Sequence, residues 1–110
     1  GGMFISARDH ARLGLLVARH GHWNGRQLLA ESWIDQMLAP SPTNDTYGFL
    51  WWLNCGGAKY KSAPSTAVFA LGAGGNIIYV DRENDLVVVM RWIDGTAVDG
   101  FLGRLIEAVA

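Results

Sequence analysis

The sequence lacks the features that mark several large classes of protein. Its single cysteine, Cys55, cannot form an internal disulfide, and this cysteine content leaves the redox compartment open. Its 9 basic and 10 acidic residues give a net charge of -1 without any run of like charge, which argues against a nucleic-acid partner. Apolar runs such as 13–18 and 86–90 are far shorter than the roughly 20 residues that cross a bilayer, so we expect no membrane span.

The composition is that of one compact soluble unit. Half of the 110 residues are hydrophobic and 17% are charged, which is typical of a globular domain. The chain starts with Gly1 and Gly2, without an initiator Met and without a charged segment followed by an apolar one. We therefore expect residues 1–110 to be a single partial domain from a longer protein, and the localisation of that protein stays open.

The order of predicted elements indicates an α+β fold. Ser6 is a helix N-cap, and Gly21 is predicted to provide the left-handed stop after the first helix. The segment 54–66 is predicted to be a flexible connection, and the last helix follows the strands. We expect an antiparallel sheet packed against helices. The first helix is predicted to begin at about residue 7, and the other two to span 31–38 and 97–109. The strands are predicted at 47–53, 76–80 and 86–90.

A cluster of glycines lies directly before one of these strands. Gly72, Gly74 and Gly75 fall within four positions and are followed by the apolar run that begins at Asn76. A phosphate-binding loop needs a helix after its glycines, and here a strand follows, so that function is excluded. Two interpretations stay open: a backbone oxyanion hole that small residues leave accessible, and a simple bend that uses glycine for its torsions.

The other candidate residues have structural explanations that are at least as good. The spacing of His10, His20 and His22 provides no metal-ligand set, so we expect no metal and no cofactor. Trp51 and Trp52 point to opposite faces if they lie on a strand, and core packing is the default for both. Tyr47 and Asn76 are candidates for the border of a substrate cleft.

Four segments resemble the C-terminal part of the serine β-lactamase-like family, and together they cover nearly the whole chain in family order. That family contains class C β-lactamases, penicillin-binding D,D-peptidases, related esterases and 6-aminohexanoate-dimer hydrolases, and the segments are most similar to the last branch. The segments are GGMFISARDHARLGLL at 1–16, WNGRQLLAESWI at 23–34, YGFLWW at 47–52 and GAGGNIIYVDRENDLVVVM at 72–90.

The resemblance implies that the glycine stretch belongs to the oxyanion side of an acyl-transfer site. Ala70, Leu71 and Gly72 occupy the position of the family's Lys-Thr-Gly or His-x-Gly motif, and the backbone N–H of Ala73, or of a neighbour within one residue, is the oxyanion donor. Gly72, Gly74, Gly75, Asn76 and Tyr47 are then expected to border the substrate. Since Ala70 and Leu71 offer neither cation nor hydroxyl, the resemblance favours an uncharged ester or amide over a β-lactam or peptidoglycan.

The catalytic nucleophile of that family is absent from this sequence. No serine has a lysine three positions later, and no Tyr is followed by x-Asn. We expect the parent protein to be a serine hydrolase and this chain alone to be inactive. The alternative is a standalone, non-catalytic binding or self-association module.

Two further expectations concern substitution and assembly. A larger residue at Gly72 or Gly74 is expected to abolish acyl transfer in the parent while leaving the fold largely intact. Strands from the N-terminal end of the family fold are missing here, so an unpaired sheet edge is expected to make the isolated chain a homodimer.

Overall fold

The computed structural model describes residues 4–110 of the chain. Its helices and strands follow the order predicted from the sequence, with two additions: a short hairpin near the start and the strand at Val68–Gly72. The elements are α1 (Ala7–Ala18), β1 (His22–Trp23), β2 (Arg26–Gln27), α2 (Glu31–Met37), β3 (Trp52–Leu53), β4 (Val68–Gly72), β5 (Asn76–Asp81), β6 (Leu86–Met90) and α3 (Val98–Val109).

Helix α1 begins as predicted, but its left-handed stop begins at His20, one residue before the predicted Gly21. The Ser6 hydroxyl oxygen accepts the backbone N–H of Asp9 at 3.1 Å, which satisfies one of the free donors of the first turn. At the other end, His20 already has a φ of 55°, and Gly21 follows with a φ of 85°. Their N–H groups bond back to carbonyls of the last helical turn at 3.1 and 2.9 Å. The stop is therefore shared by His20 and Gly21 and has the hydrogen bonds of a Schellman motif.

The main sheet is antiparallel and has the order β3-β4-β5-β6. Its side chains alternate between two buried clusters, because successive residues of a strand point to opposite faces. One face packs against α3 and contains Phe69, Ile77, Tyr79 and Met90 with Val98 and Leu102. The other packs against α1 and contains Val68, Ile78 and Val80 with Val17 and Ala18.

The sheet therefore lies between two helices, which confirms the predicted α+β class with an antiparallel sheet. Gly14 lets α1 approach the sheet closely, because a Cβ at this position would lie 3.0 Å from the Ile78 side chain and would overlap that of Val87. Trp51 belongs to the α1 cluster and Trp52 packs against the α3 cluster, as predicted for neighbours on a strand.

The predicted strand at 47–53 is wrong over most of its length. Only Trp52 and Leu53 form β3, and Tyr47 makes an isolated bridge with Trp52. Between them the chain reverses: the N–H of Gly48 bonds to the carbonyl of Trp51 at 2.8 Å, and Leu50 has a φ of 67°. The aromatic residues favoured a strand, but Gly48 and this reversal bring them into a compact loop instead.

The segment after β3 has more fixed structure than the predicted flexible connection. Asn54 is fully buried, and its side-chain oxygen accepts the N–H groups of Lys59 and Tyr60 at 3.1 and 2.8 Å. Its side-chain nitrogen lies 2.9 to 3.1 Å from the carbonyl oxygens of Tyr60, Ala63 and Pro64. One amide side chain thus organises the loop that leads into β4.

Strands β1 and β2 form a short hairpin that follows α1. Asn24 and Gly25 form its tip with φ values of 49° and 81°. Two consecutive positive φ values are what a two-residue hairpin turn requires, and Asn-Gly is its commonest sequence. Among the helices in residues 4–110, none is long and apolar enough to span a membrane.

Candidate functional site

The glycine stretch forms the tight turn between β4 and β5. Gly72 ends β4, Ala73, Gly74 and Gly75 make the turn, and Asn76 begins β5 opposite Gly72. Strands lie on both sides of the glycines, so the stretch does not have the strand-to-helix geometry of a phosphate loop.

Two of the three glycines are required by the bend itself. Gly74 and Gly75 have φ values of 85° and 77°, a region that other residues rarely adopt. A Cβ on Gly74 would overlap the ring of Trp92, and one on Gly75 would overlap the carbonyl oxygen of Ile93. The expectation that a larger residue at Gly74 leaves the fold largely intact is therefore wrong, because both backbone torsion and packing oppose it.

Gly72 differs from its neighbours, because neither torsion nor packing explains it. Its φ is not positive, and a Cβ there would have only ordinary contacts, 3.6 and 3.7 Å from the Asn76 carbonyl oxygen and Cβ. The residue is exposed and lines a cavity of about 220 Å³ on the side of the sheet that faces α1. Residues that line this cavity, called the glycine cavity below, include His10, Leu50, Ala70, Gly72, Asn76 and Ile78.

The outer edge of β4 beside this cavity has unpaired backbone groups. Strand β3 pairs only with Val68 and Phe69, and within residues 4–110 no strand covers the remainder of that edge. The N–H of Asn54 bonds to the carbonyl of Ala67 at 3.1 Å, which sets the alternation of hydrogen bonds along the pair. By that alternation the N–H and C=O of Leu71 face the open edge, while those of Gly72 face β5.

Asn76 and Tyr47, the two polar candidates from the sequence, lie in different surroundings. Asn76 lines the glycine cavity, and its side-chain nitrogen donates to the carbonyl of Ala73 at 2.8 Å, which fixes both the turn and the amide. Tyr47 is not among the residues that line the cavity. Its ring packs edge-on against that of Trp52, with 4.7 Å between the ring centroids. Tyr47 bridges to the side of β3 that faces away from β4, so it lies one strand further out. The structure therefore brings Gly72 and Asn76 together and leaves Tyr47 apart.

The glycine cavity also contains a histidine that the sequence did not place there. Arg91 Nη2 lies 2.9 Å from His10 Nδ1 and donates to the carbonyl oxygen of Ile5 at 2.7 Å. A guanidinium group has only donors, so Nδ1 must be the acceptor in this pair. The proton of the neutral ring is then on Nε2. At Nε2, His10 therefore offers an N–H donor and not a lone pair.

Leu50 is the second residue of the cavity that sequence reasoning missed. It is 80% exposed and has a φ of 67°, an unusual conformation for a leucine. Such a residue is costly to hold in place, and strained residues of this kind concentrate at functional sites. The Tyr-Gly-Phe-Leu-Trp-Trp stretch gave no signal for it, because its pattern favours a strand. The helical spacing that places His10 and Gly14 on one face of α1 was the available signal for His10.

The most perturbed ionisable group of the described residues lies elsewhere and is structural. Burial raises the pKa of Tyr79 strongly, with a further contribution from its hydrogen bond to Asp81 at 2.7 Å. Asp81 is fully buried and also accepts the backbone N–H and the side-chain N–H of Asn84 at 2.9 and 2.8 Å. These contacts anchor the turn between β5 and β6. Within residues 4–110, no group of three or more His, Cys, Asp or Glu side chains could hold a metal ion.

The architecture is similar to one part of a larger solved structure. No family model and no curated protein sequence matches the chain. A solved structure from Bacillus anthracis, described as a provisionally assigned 6-aminohexanoate-dimer hydrolase, matches with a TM-score of 0.66 and 24% sequence identity. The match covers 93% of this chain and 28% of that one, so the chain spans less than a third of the hydrolase's length. The chain therefore has the fold of one part of that hydrolase.

Proposed function

We propose that this chain is the C-terminal part of a β-lactamase-like serine hydrolase, and that residues 1–110 are a partial domain of that enzyme. The nucleophilic serine and its lysine are supplied by the preceding part of the parent chain. Support comes from the structural similarity, which covers 93% of this chain but 28% of the hydrolase, and from the order of the four family-like segments.

One observation carries the assignment of a role: the open edge of β4 next to Gly72. Ala73 directly follows this edge of β4, and its backbone N–H is the donor that we assign to the oxyanion. In acyl transfer the serine Oγ passes its proton to the lysine supplied by the parent chain and forms a bond to the carbonyl carbon, while the carbonyl π electrons move to the oxygen. A preorganised N–H at that oxygen stabilises its negative charge. The leaving alcohol or amine takes a proton as its bond to carbon breaks, and water later hydrolyses the acyl-enzyme.

The residues around the glycine cavity favour an uncharged small ester or amide as the substrate. Ala70 and Leu71 stand where the family motif has a cation and a hydroxyl, so neither can hold a substrate carboxylate. The Arg91 guanidinium, which contacts the cavity residue His10, also donates to the carbonyl of Ile5. We propose Gly72, Ala73 and Asn76 as the residues of this chain that border the reacting group, with Gly74 and Gly75 shaping the turn. Tyr47 is at most a distant part of the cleft wall.

The test is to express the parent protein with its full upstream sequence. The proposal requires a Ser-x-x-Lys in that sequence and hydrolysis of p-nitrophenyl butyrate that disappears when its serine is changed to alanine. A matched control changes Ser65, an exposed serine of this chain, to alanine and should leave turnover unchanged. A parent without Ser-x-x-Lys, or with full turnover after loss of that serine, would contradict the proposal.

A second candidate function is self-association of the chain as a non-catalytic module. Strand β6 is the last strand of the sheet in residues 4–110, and its outer backbone groups have no strand partner there. Such an edge is a template for another strand, so we propose a homodimer formed by edge pairing or exchange of α3. Sedimentation equilibrium of the chain at micromolar concentration should give a mass above 12.0 kDa that rises with concentration. A single, concentration-independent species of 12.0 kDa would contradict the dimer.

A further inference from the structure

The glycine cavity combines features of a built ligand site that the oxyanion role does not use. Its walls are partly apolar, from Leu50, Ala70 and Ile78, and its polar side chains are His10 and Asn76. Its volume of about 220 Å³ corresponds to roughly seven water molecules at about 30 Å³ each. That is room for a short organic group beside the reacting carbonyl.

The two polar side chains are each fixed in one hydrogen-bonding role. Arg91 donates to His10 Nδ1, so His10 Nε2 carries a proton and is a donor. The nitrogen of the Asn76 amide donates to the carbonyl of Ala73, so its oxygen is left to act as an acceptor. Of the two polar residues that line the cavity, one is thus a preset donor and the other a preset acceptor.

This pair of roles selects the chemistry of the occupant. A carboxylate accepts from His10 but has no hydrogen for Asn76, and an ammonium donates to Asn76 but cannot accept from His10. A carboxamide does both at once without bringing a charge into a partly apolar cavity. We propose that the glycine cavity is a subsite for an uncharged carboxamide group of the substrate, with His10 as its donor and Arg91 as the residue that fixes the His10 tautomer.

Leu50 gives the subsite its apolar wall. Its backbone is in the left-handed region and its side chain is exposed, although burial would be the favourable place for a leucine. A bound alkyl chain would cover this side chain and recover part of that burial. The apolar wall and the donor–acceptor pair together describe a short alkyl amide.

This subsite deepens the proposed hydrolase function, and its description as a substrate subsite rests on that function. Binding can be measured on the chain itself without any turnover. A failure of the subsite is therefore distinguishable from a failure of the hydrolase proposal, which depends on the upstream serine.

The test uses the 110-residue chain with ¹⁵N-labelled histidine and three probes of similar size: butyramide, butyrate and n-butylammonium. The His10 ring should give the NMR pattern of the Nε2–H tautomer. Butyramide should shift its signals saturably with a dissociation constant on the order of millimolar, as expected for a six-atom ligand. Butyrate and n-butylammonium should bind at least about fivefold more weakly, since each leaves one hydrogen bond unmade.

Variants separate a role in binding from a role in folding. His10→Leu should weaken butyramide binding about fivefold to tenfold, since one hydrogen bond is lost, and His10→Gln, which keeps an N–H donor, should restore most of it. Arg91→Met should lose the single His10 tautomer, and Arg91→Lys should retain it. The matched control is His22→Leu, because His22 bonds to Gln27 outside this cavity and should not affect butyramide.

Three results would overturn the subsite. They are an Nδ1–H tautomer at His10, butyrate or n-butylammonium binding as tightly as butyramide, and equal losses from His10→Leu and His22→Leu. If His10→Leu does not fold, the comparison of wild type with His10→Gln and the tautomer spectrum still decide the question.

Discussion

The difference between Gly72 and Gly75 leads to a prediction that can be worked through from the structure. Gly75→Ala places a side chain on a backbone with a φ of 77°, which costs about 1–2 kcal/mol. The new Cβ also overlaps the carbonyl oxygen of Ile93, a backbone atom that cannot rotate away, and overpacking of this kind typically costs about 1–3 kcal/mol. We expect the free energy of unfolding to fall by about 3 kcal/mol.

Gly72→Ala is the matched control, on the other side of the same turn. Its Cβ would have contacts of 3.6 and 3.7 Å and would sit on a strand, where alanine is better than glycine by roughly 0.5–1 kcal/mol. Urea unfolding followed by tryptophan fluorescence measures both variants. With a slope of about 2 kcal/mol/M, the Gly75→Ala midpoint should be lower than that of Gly72→Ala by roughly 2 M. Equal midpoints would refute the reasoning that the turn, and not the site, requires Gly75.

Two other predictions follow from single contacts, and a third follows from the missing nucleophile. Asn54→Ala leaves buried backbone groups without partners and should lower the free energy of unfolding by about 3 kcal/mol, measured by urea unfolding. The backbone N–H and hydroxyl of Ser62 lower the pKa of Asp99. That contact therefore stabilises the fold at pH values above 3.8, the ordinary pKa of an aspartate. Its contribution is lost as the pH falls through the lower pKa that Asp99 has in the folded chain. The urea midpoint of the wild type should thus fall more steeply than that of Asp99→Asn below about pH 4. The isolated chain should not hydrolyse p-nitrophenyl butyrate above background, and turnover abolished by mutation of one of its own serines would contradict this.

The sequence predicted the elements whose hydrophobic pattern is regular and local. Helix α1 begins at its predicted cap, and the apolar runs after Gly75 and before Arg91 form β5 and β6. These elements depend on caps, periodicity and turn residues, which are all local in sequence.

The errors concern features that depend on contacts between distant residues. The aromatic stretch 47–53 favoured a strand, but Gly48 lies against the carbonyl of Met37, and the loop reverses there. The order in segment 54–66 depends on one buried Asn54, and a single asparagine in a polar segment gives no such signal. Nothing local pairs His10 with Arg91, because the two residues are 81 positions apart.

For the glycine cluster, the structure separates the positions that the bend requires from the one that it does not. Gly74 and Gly75 serve the bend, through their positive φ values and their contacts with the segment that follows β6. Gly72 has no such requirement and lines the glycine cavity. The sequence could not separate them, because the distinction depends on Trp92 and Ile93, which approach the turn only in the folded chain.

The central claim, that the β4 edge supplies an oxyanion donor, can be tested by removing a single hydrogen. In the full-length parent, Ala73→Pro deletes the backbone N–H, while Ala73→Gly keeps it in the same place. Loss of one oxyanion donor lowers kcat by about 10²–10³ in other hydrolases. We predict that kcat for p-nitrophenyl butyrate falls by about that factor in Ala73→Pro relative to Ala73→Gly, at unchanged urea midpoints. Equal kcat values in the two folded variants would contradict the claim.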